Sequence, residues 1–141
     1  EREQRALMKQ LGWESDRIAI ECITDSAGPG NVVMIGGDWK HVSEMTTVCG
    51  ERGRTSETVA KDAAREFLRY HNADAPVGRR LADQLLLPLA LTGAGRFRTL
   101  PLSNHFETNR QVIETFLPVR IQAIEESRST VAVEISARGA M

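Results

Sequence analysis

The sequence predicts an α+β protein, because helical and strand-like hydrophobic patterns alternate along its 141 residues. Apolar residues make up 41% of the chain and charged residues 26%, which is typical of a globular protein of one domain or two small ones. The segment 72–78 gathers Asn, Asp, Pro and Gly, so it indicates a domain boundary. We therefore expect two α+β parts, one on each side of this segment.

The first part is predicted to combine two helices with an antiparallel sheet. A helical pattern is already present at residue 1 and ends at Gly12. The helix predicted most clearly covers residues 55–71, where apolar residues recur at helical spacing and Thr55 or Ser56 can cap the start. Alternating apolar residues between these helices predict three strands, over residues 17–24, 32–39 and 42–50.

The second part is predicted to begin with a buried helix. Residues 79–91 are apolar nearly all round, and Pro88 is expected to kink or shorten this helix because proline has no N–H to donate. The elements expected after it are a strand over 96–100, a helix over 105–117, and two strands, 119–123 and 131–135, joined as a hairpin by 125–129.

Charge and cysteine content narrow the class of protein. A formal net charge of -1 supplies no overall field that attracts nucleic acid, so RNA contacts would depend on local arginines. The sequence contains no apolar run long enough to span a membrane and no signal peptide, so we expect a cytoplasmic protein without a membrane partner. Cys22 and Cys49 are too far apart for a CxxC pair and are expected to be reduced and mostly buried, and no metal-binding motif is visible.

His105 is the first candidate for chemistry. Asn104 and Glu107 have the spacing of a capping box, which would make His105 the first residue of the helix. A helix N-terminus attracts phosphate and disfavours a charged imidazolium, and a neutral imidazole beside a phosphate is a competent nucleophile. From spacing alone, the more common alternative is a solvated surface histidine.

Asp83 and Gln84 form the second candidate. They lie in a helix with almost no polar side, and a buried carboxylate is costly unless it has a partner. Asp83 therefore requires a hydrogen-bond donor, a cation or a ligand. The alternative to a ligand is a structural pairing with Arg79, Arg80 or a backbone amide.

Three long segments carry a family resemblance. "RRLADQLLLPLALTGAGRF", followed by "SNHFETN" and "FLPVR", resembles the C-terminal part of the RNA 3'-terminal phosphate cyclases. "HVSEMTTVCGERGRTSETVAKDAAREFLRY" resembles the segment that precedes it, so the resemblance covers essentially the whole chain. It implies repeated βαβαββ units, with residues 1–74 as most of a small inserted domain and 75–141 as the C-terminal end of the large catalytic domain.

The resemblance also implies a reaction and its residues. A histidine that aligns with His105 attacks ATP, becomes adenylylated and passes AMP to an RNA 3'-phosphate, which then closes to a 2',3'-cyclic phosphate. Asp83 and Gln84 align with residues near the adenylate, and Arg80 replaces an aromatic residue and can stack on adenine. The implied cofactors are ATP and a divalent metal, Mg or Mn, and the implied partner is an RNA 3'-phosphate end.

Two other functions remain open: a noncatalytic cyclase-like RNA-binding or ribosome-assembly protein, and a stand-alone interaction domain. His105 favours the enzyme, because a scaffold does not need a nucleophile. The first helix lacks the strand that precedes it in a βαβαββ unit. We therefore expect the chain to be a fragment that is inactive alone and that self-associates or pairs with a missing N-terminal segment.

Overall fold

A computed structural model describes residues 1–139 and divides the chain into two compact units, Glu1–His71 and Asn72–Met141. Helices and two antiparallel sheets make up the described residues, so the predicted α+β class is confirmed. No helix in this part of the chain is long and apolar enough to cross a membrane. The helices are α1 (Arg2–Leu11), α2 (Ser56–His71), α3 (Arg79–Thr92) and α4 (Asn104–Phe116); the strands are β1 (Val32–Asp38), β2 (Ser43–Cys49), β3 (Ala94–Thr99), β4 (Val119–Glu125) and β5 (Val131–Ala137).

The core of the first unit lies between its helices and one face of a hairpin. Strands β1 and β2 are antiparallel, with Ile35 opposite Thr46. Val33 and Ile35 are buried while Val32 and Met34 are exposed, because successive strand residues point to opposite faces. The buried apolar residues packed around Val33 and Ile35 are Leu7, Val59, Ala60, Ala63, Ala64 and Phe67.

Helix α2 confirms the helix predicted over residues 55–71. It begins at Ser56, and the Thr55 hydroxyl accepts a hydrogen bond from the backbone N–H of Thr58 at 3.2 Å. That bond satisfies one of the N–H groups that a helix start leaves without a partner. The buried side of α2 is rich in alanine, which allows α1 and the sheet to pack closely on it.

The strand predicted over 17–24 is wrong. Ser15–Arg17 form one turn of 3-10 helix, and residues 18–31 form neither helix nor strand. Alternating apolar residues make a strand only when a neighbouring strand satisfies the backbone groups, and in the described unit β1 and β2 pair with each other. Ile20 and Ile23 are consequently 55% and 70% exposed.

The expected burial of the cysteines is also wrong. Cys22 and Cys49 are free thiols and both are exposed. Cys22 lies in the irregular segment, and Cys49 is the last residue of β2, on the outer face that Met45 also occupies.

The second unit packs α3 and α4 with a three-stranded sheet of order β3-β5-β4. Both pairings are antiparallel, which confirms the predicted hairpin of β4 and β5. A parallel bridge joins Val77 to Thr99, so the element order from Val77 to β5 is βαβαββ with the first strand reduced to a single bridge. The core includes Leu86, Phe106 and Val133.

Helix α3 continues through Pro88 to Thr92, so of the two predicted effects of the proline, a kink or a shortened helix, shortening does not occur. The burial of the helix differs from expectation. One side is buried through Ala82, Leu86 and Ala90, whereas Leu87 and Leu91 are 50% and 69% exposed. The helix is therefore amphipathic rather than buried all round, and burial of one side offsets the backbone hydrogen bond that Pro88 removes.

Glycines allow the chain to leave α3 and pass beneath it. Gly93 ends the helix with φ 74°, in the left-handed region. A Cβ atom at Gly95, in β3, would come within 2.8 Å of Leu89 Cδ2, so helix and strand approach too closely for a side chain there.

Candidate functional site

The start of α4 is capped one residue earlier than predicted. Ser103 has extended backbone angles, and its hydroxyl accepts a hydrogen bond from the Phe106 N–H at 3.0 Å. The helix begins at Asn104, so the predicted Asn104–Glu107 capping box is wrong and His105 is the second helical residue rather than the first. The Glu107 carboxylate pairs instead with the Arg110 guanidinium, at 2.8 Å.

His105 is exposed in the first turn of α4. The backbone N–H groups of this turn lack carbonyl partners within the helix, and the helix dipole adds positive potential there. Both features favour the approach of a phosphate. The imidazole is therefore accessible at a place that attracts the group it would attack.

Asp83 lies half-buried on α3, and its Oδ1 atom is buried without a hydrogen-bond partner in the described part of the chain. Of the structural partners considered as an alternative to a ligand, Arg79 donates from Nη2 to the Leu102 carbonyl at 3.3 Å. An acceptor buried in this way costs about 1–3 kcal/mol until a donor reaches it. Asp83 Oδ1 is therefore an acceptor without a partner among the described residues.

Gln84 and Arg80, the other predicted α3 residues, are exposed. Pro88 lies four residues after Gln84 and cannot donate to its carbonyl, so that oxygen does not receive the usual helical hydrogen bond. Asp83 and Gln84 thus present a carboxylate oxygen and a carbonyl oxygen from adjacent positions. This pair of acceptors suits a ligand with N–H donors.

A hydrogen bond ties α3 to α4 close to both candidates. The Asn109 side chain donates from Nδ2 to the Asp83 backbone carbonyl at 3.3 Å. His105 precedes Asn109 by four residues, so both lie on the side of α4 that faces α3. The structure therefore places His105 and Asp83 on neighbouring sides of two packed helices.

The sequence patterns did not identify Asn109 or Arg110 as candidate site residues. Arg110 is paired with Glu107 through Nη2, while its Nε is buried without a partner among residues 1–139. The spacing of Asn109 from His105 was a usable signal, since residues four apart share a helix side. Nothing in the sequence indicated which backbone carbonyl the amide would reach.

A cleft of about 470 Å³ adjoins the start of α4 on another side of the helix. It lies between the first two turns of α4 and the β4–β5 hairpin. Arg98 pairs with Glu126 of that hairpin at 2.7 Å and with Asp74 at 3.0 Å, and these carboxylates raise the pKa of Arg98 above its ordinary value. The residues lining the cleft are Pro101, Leu102, Ser103, Asn104, Glu107, Arg110, Ala123, Glu125, Ser127, Arg128 and Val131.

Comparison with known proteins identifies the family. The family model described as RNA 3'-terminal phosphate cyclase matches residues 6–123. The chain is 40% identical over 121 residues to a Pseudomonas aeruginosa protein named RNA 3'-terminal phosphate cyclase, covering 86% of this chain and 36% of that protein. A protein of the same name from Ralstonia nicotianae is 44% identical over 119 residues, covering 84% and 34%.

A third relative of that name, from Pseudomonas fluorescens, is 35% identical over 137 residues, covering 97% of this chain and 40% of the relative. The chain therefore belongs to the RNA 3'-terminal phosphate cyclase family. It spans between 34% and 40% of the length of these three relatives.

Proposed function

We propose that the complete gene product converts an RNA 3'-terminal phosphate to a 2',3'-cyclic phosphate at the expense of ATP, with His105 as nucleophile. The observation that carries the proposal is the exposed imidazole in the first turn of α4, at the position where the sequence resemblance places the family's histidine. The matching relatives are named for this activity.

The first step would be attack by a neutral nitrogen of His105 on the α-phosphorus of ATP. A P–N bond forms, the bond from the α-phosphorus to the bridging oxygen breaks, and pyrophosphate leaves while the imidazole loses its N–H proton to solvent. The start of α4 supports this step, because its N–H groups and dipole stabilise the charge that develops on the phosphate oxygens.

Two further displacements would complete the reaction. An oxygen of the RNA 3'-phosphate attacks the AMP phosphorus, the P–N bond breaks, and His105 departs as neutral imidazole by taking a proton back from solvent, which joins RNA to AMP. The neighbouring 2'-hydroxyl then attacks the RNA phosphorus, loses its proton and expels AMP, leaving the cyclic phosphate. The nucleophile returns to its starting state, so His105 acts by covalent catalysis.

Asp83 would bind the nucleotide. Its unpartnered Oδ1 can accept a hydrogen bond from the amino group of adenine, which would remove the cost of the buried oxygen. Gln84 lies beside it, and the Arg80 guanidinium offers a flat surface for the base.

A divalent metal, Mg or Mn, is part of the proposal. In residues 1–139 no group of three or more His, Cys, Asp or Glu side chains is placed to hold a metal ion. The metal would be held together with ATP, whose phosphate oxygens are common ligands of magnesium at phosphate-transfer sites.

The test is incubation of the complete gene product with ATP labelled on its α-phosphate. We expect label on the protein through a bond that is stable to alkali and labile to acid. His105→Ala should abolish the label, whereas His41→Ala, an exposed histidine of the first unit, should retain it. Undiminished labelling of His105→Ala would exclude this nucleophile. Absence of label from the unaltered protein would favour the noncatalytic RNA-binding alternative.

Asp83→Ala separates nucleotide binding from a structural role. Because alanine removes an acceptor that has no hydrogen-bond partner in residues 1–139, we expect labelling to slow at subsaturating ATP with little change in the urea midpoint. A lowered midpoint with normal labelling would return Asp83 to a structural role.

The 141-residue chain by itself is expected to label little or not at all. Its relatives are more than twice its length, and the rest of their sequence is expected to contribute to the ATP site. Light scattering and intact mass spectrometry on one sample would report self-association and AMP attachment together. A monomer that labels at the rate of the complete protein would show that these residues form a complete site.

A further inference from the structure

The cleft beside α4 is not used by the proposed nucleotide site. Asn104 and Glu107 line it from positions three apart on α4, while His105 and Asn109 lie on the side of the helix towards α3. The buried Oδ1 of Asp83 belongs to the α3 side. The first turns of α4 therefore have two separate surfaces. The proposed ATP site is on the surface towards α3, and the cleft is on the other.

The charge of the cleft argues against a dedicated phosphate site. Two guanidinium groups, of Arg110 and Arg128, are balanced by two carboxylates, of Glu107 and Glu125. Arg110 and Glu107 already pair with each other. A site of this composition offers donors and acceptors in similar measure and no excess positive charge.

The hydrogen-bonding capacity of the cleft is partly unused. The Ser103 hydroxyl caps α4, and the Ser127 hydroxyl accepts from the N–H groups of Ser129 and Thr130. By contrast, the Asn104 amide and the Arg128 guanidinium belong to exposed residues of the cleft. The Asn104 side chain makes no hydrogen bond to another described residue. Donors therefore remain for a ligand.

Apolar groups complete the cleft through Pro101, Leu102, Ala123 and Val131. A ligand that presents both an apolar face and an edge of mixed donors and acceptors matches such walls, and a nucleobase is such a group. The volume of about 470 Å³ is within the range of small-molecule sites.

We propose that this cleft binds a nucleobase from one of the last two nucleotides of the RNA substrate. The proposal rests on the proposed function, because it requires the RNA 3'-phosphate to reach His105. Asn104 is adjacent to His105, so a strand whose phosphate meets the imidazole passes over the first turn of α4 and comes to the cleft. The cleft would hold the RNA end in register for the nucleophile.

The test uses the complete gene product and a 5'-fluorescent RNA decamer with a 3'-phosphate, followed by fluorescence anisotropy without ATP. Three further decamers lack the base at the last, the second-last or the fifth-last nucleotide. The variants are Asn104→Leu and Arg128→Ala, which alter two exposed cleft residues. The control is Arg120→Ala, an exposed arginine of β4 outside the cleft.

We expect each cleft variant to weaken binding of the intact RNA about tenfold, and Arg120→Ala to leave it unchanged.

Removal of the one base that occupies the cleft, at the last or the second-last position, should weaken binding to the unaltered protein by a similar factor. A cleft variant tested with that base-lacking RNA should bind only slightly more weakly than with either change alone. Removal of the fifth-last base should lower the RNA affinity of the unaltered protein and of each variant by the same factor. The proposal is overturned if the loss of affinity from a cleft variant adds fully to the loss from base removal at both terminal positions. It is also overturned if the cleft variants bind the intact RNA normally.

AMP labelling separates this inference from the proposed function. If the unaltered protein labels at His105, but the affinity losses from the cleft variants and from removal of either terminal base are additive, only the assignment of the cleft fails. If the cleft variants raise the ATP concentration needed for labelling and bind RNA normally, the cleft belongs to ATP and the inference is wrong. If the unaltered protein neither labels nor binds RNA, both proposals fail.

Discussion

The Asn109 side chain donates a hydrogen bond across the helix pair to the backbone carbonyl of Asp83, at 3.3 Å. The bond joins the side of α4 that carries His105 to the turn of α3 that carries the unpartnered carboxylate. The bond adds a directional contact to the apolar packing of the two helices, because hydrogen bonds depend on geometry. Asn109 therefore supports the register of the two helices at the proposed nucleotide site.

Asn109→Leu is expected to weaken the second unit. Leucine keeps a similar size but cannot donate, so the free energy of unfolding should fall by about 1 kcal/mol. Hydrogen–deuterium exchange of α3 peptides measures the change. Gln111→Leu, at an exposed position of the same helix, is the control and should leave exchange in α3 as it is. Equal exchange in both variants would show that the bond does not hold the helices.

Ser103→Ala is expected to loosen the first turn of α4. The Ser103 hydroxyl accepts from the Phe106 N–H, and losing such a cap costs about 1 kcal/mol. Faster amide exchange at the start of α4 would report the loss. Asn104→Ala is the matched comparison and should cost less, because Asn104 lies inside the helix. A larger effect of Asn104→Ala than of Ser103→Ala would favour the Asn104–Glu107 capping box.

Leu86→Ala and Leu87→Ala compare two neighbouring leucines of α3. Leu86 is 0% exposed and Leu87 is 50% exposed. Leu86→Ala should therefore lower the free energy of unfolding by about 2–5 kcal/mol, through lost burial and the cavity left behind. Leu87→Ala should change it by about 0.5 kcal/mol or less. Urea titrations followed by circular dichroism would measure both. Similar losses would indicate that both sides of α3 are covered in solution.

The ion pair of Arg2 and Glu57 predicts a pH dependence for the first unit. The Arg2 guanidinium donates to both Glu57 oxygens at 2.8 Å and lowers the Glu57 pKa from 4.5 to about 2. A lowered pKa stabilises the folded state above pH 4.5, and this contribution disappears as the pH falls through about 2. The effect is small because both side chains are exposed.

Comparison with Glu57→Gln isolates this contribution from other carboxylates. The difference in urea midpoint between the two proteins should be constant above pH 4.5 and vanish near pH 2. The fluorescence of Trp13 and Trp39, both in the first unit, reports its unfolding. A difference that persists at pH 2 would show that Glu57→Gln acts through something other than the ion pair.

Elements specified by nearby residues were predictable from the sequence. Helix α2 follows from its helical spacing and Thr55, and the hairpin of β4 and β5 from two alternating segments separated by a short polar turn. The segment 17–24 has the same alternation, but a strand also depends on a partner from elsewhere in the chain. The continuation of α3 through Pro88 likewise depends on packing, because burial of Leu86 and Ala90 stabilises the helix around the proline.

The sequence identified candidate residues for the site but not their contacts. His105 and Asp83 are candidates because of their position and burial cost, and the structure places them on two packed helices. The bond from Asn109 to Asp83 joins residues 26 positions apart, and no local pattern specifies it. The cap at Ser103 shows the other limit, since serine and asparagine cap helices about equally well and adjacent positions compete.

The two exposed thiols give this chain a selective chemical handle. The sequence contains two cysteines, Cys22 and Cys49, and both lie in the first unit. A maleimide dye therefore attaches to the first unit and leaves the unit that carries His105 unmodified. Fluorescent labelling of this chain requires no engineered cysteine, and storage under reducing conditions protects the same two positions from oxidative cross-linking between molecules.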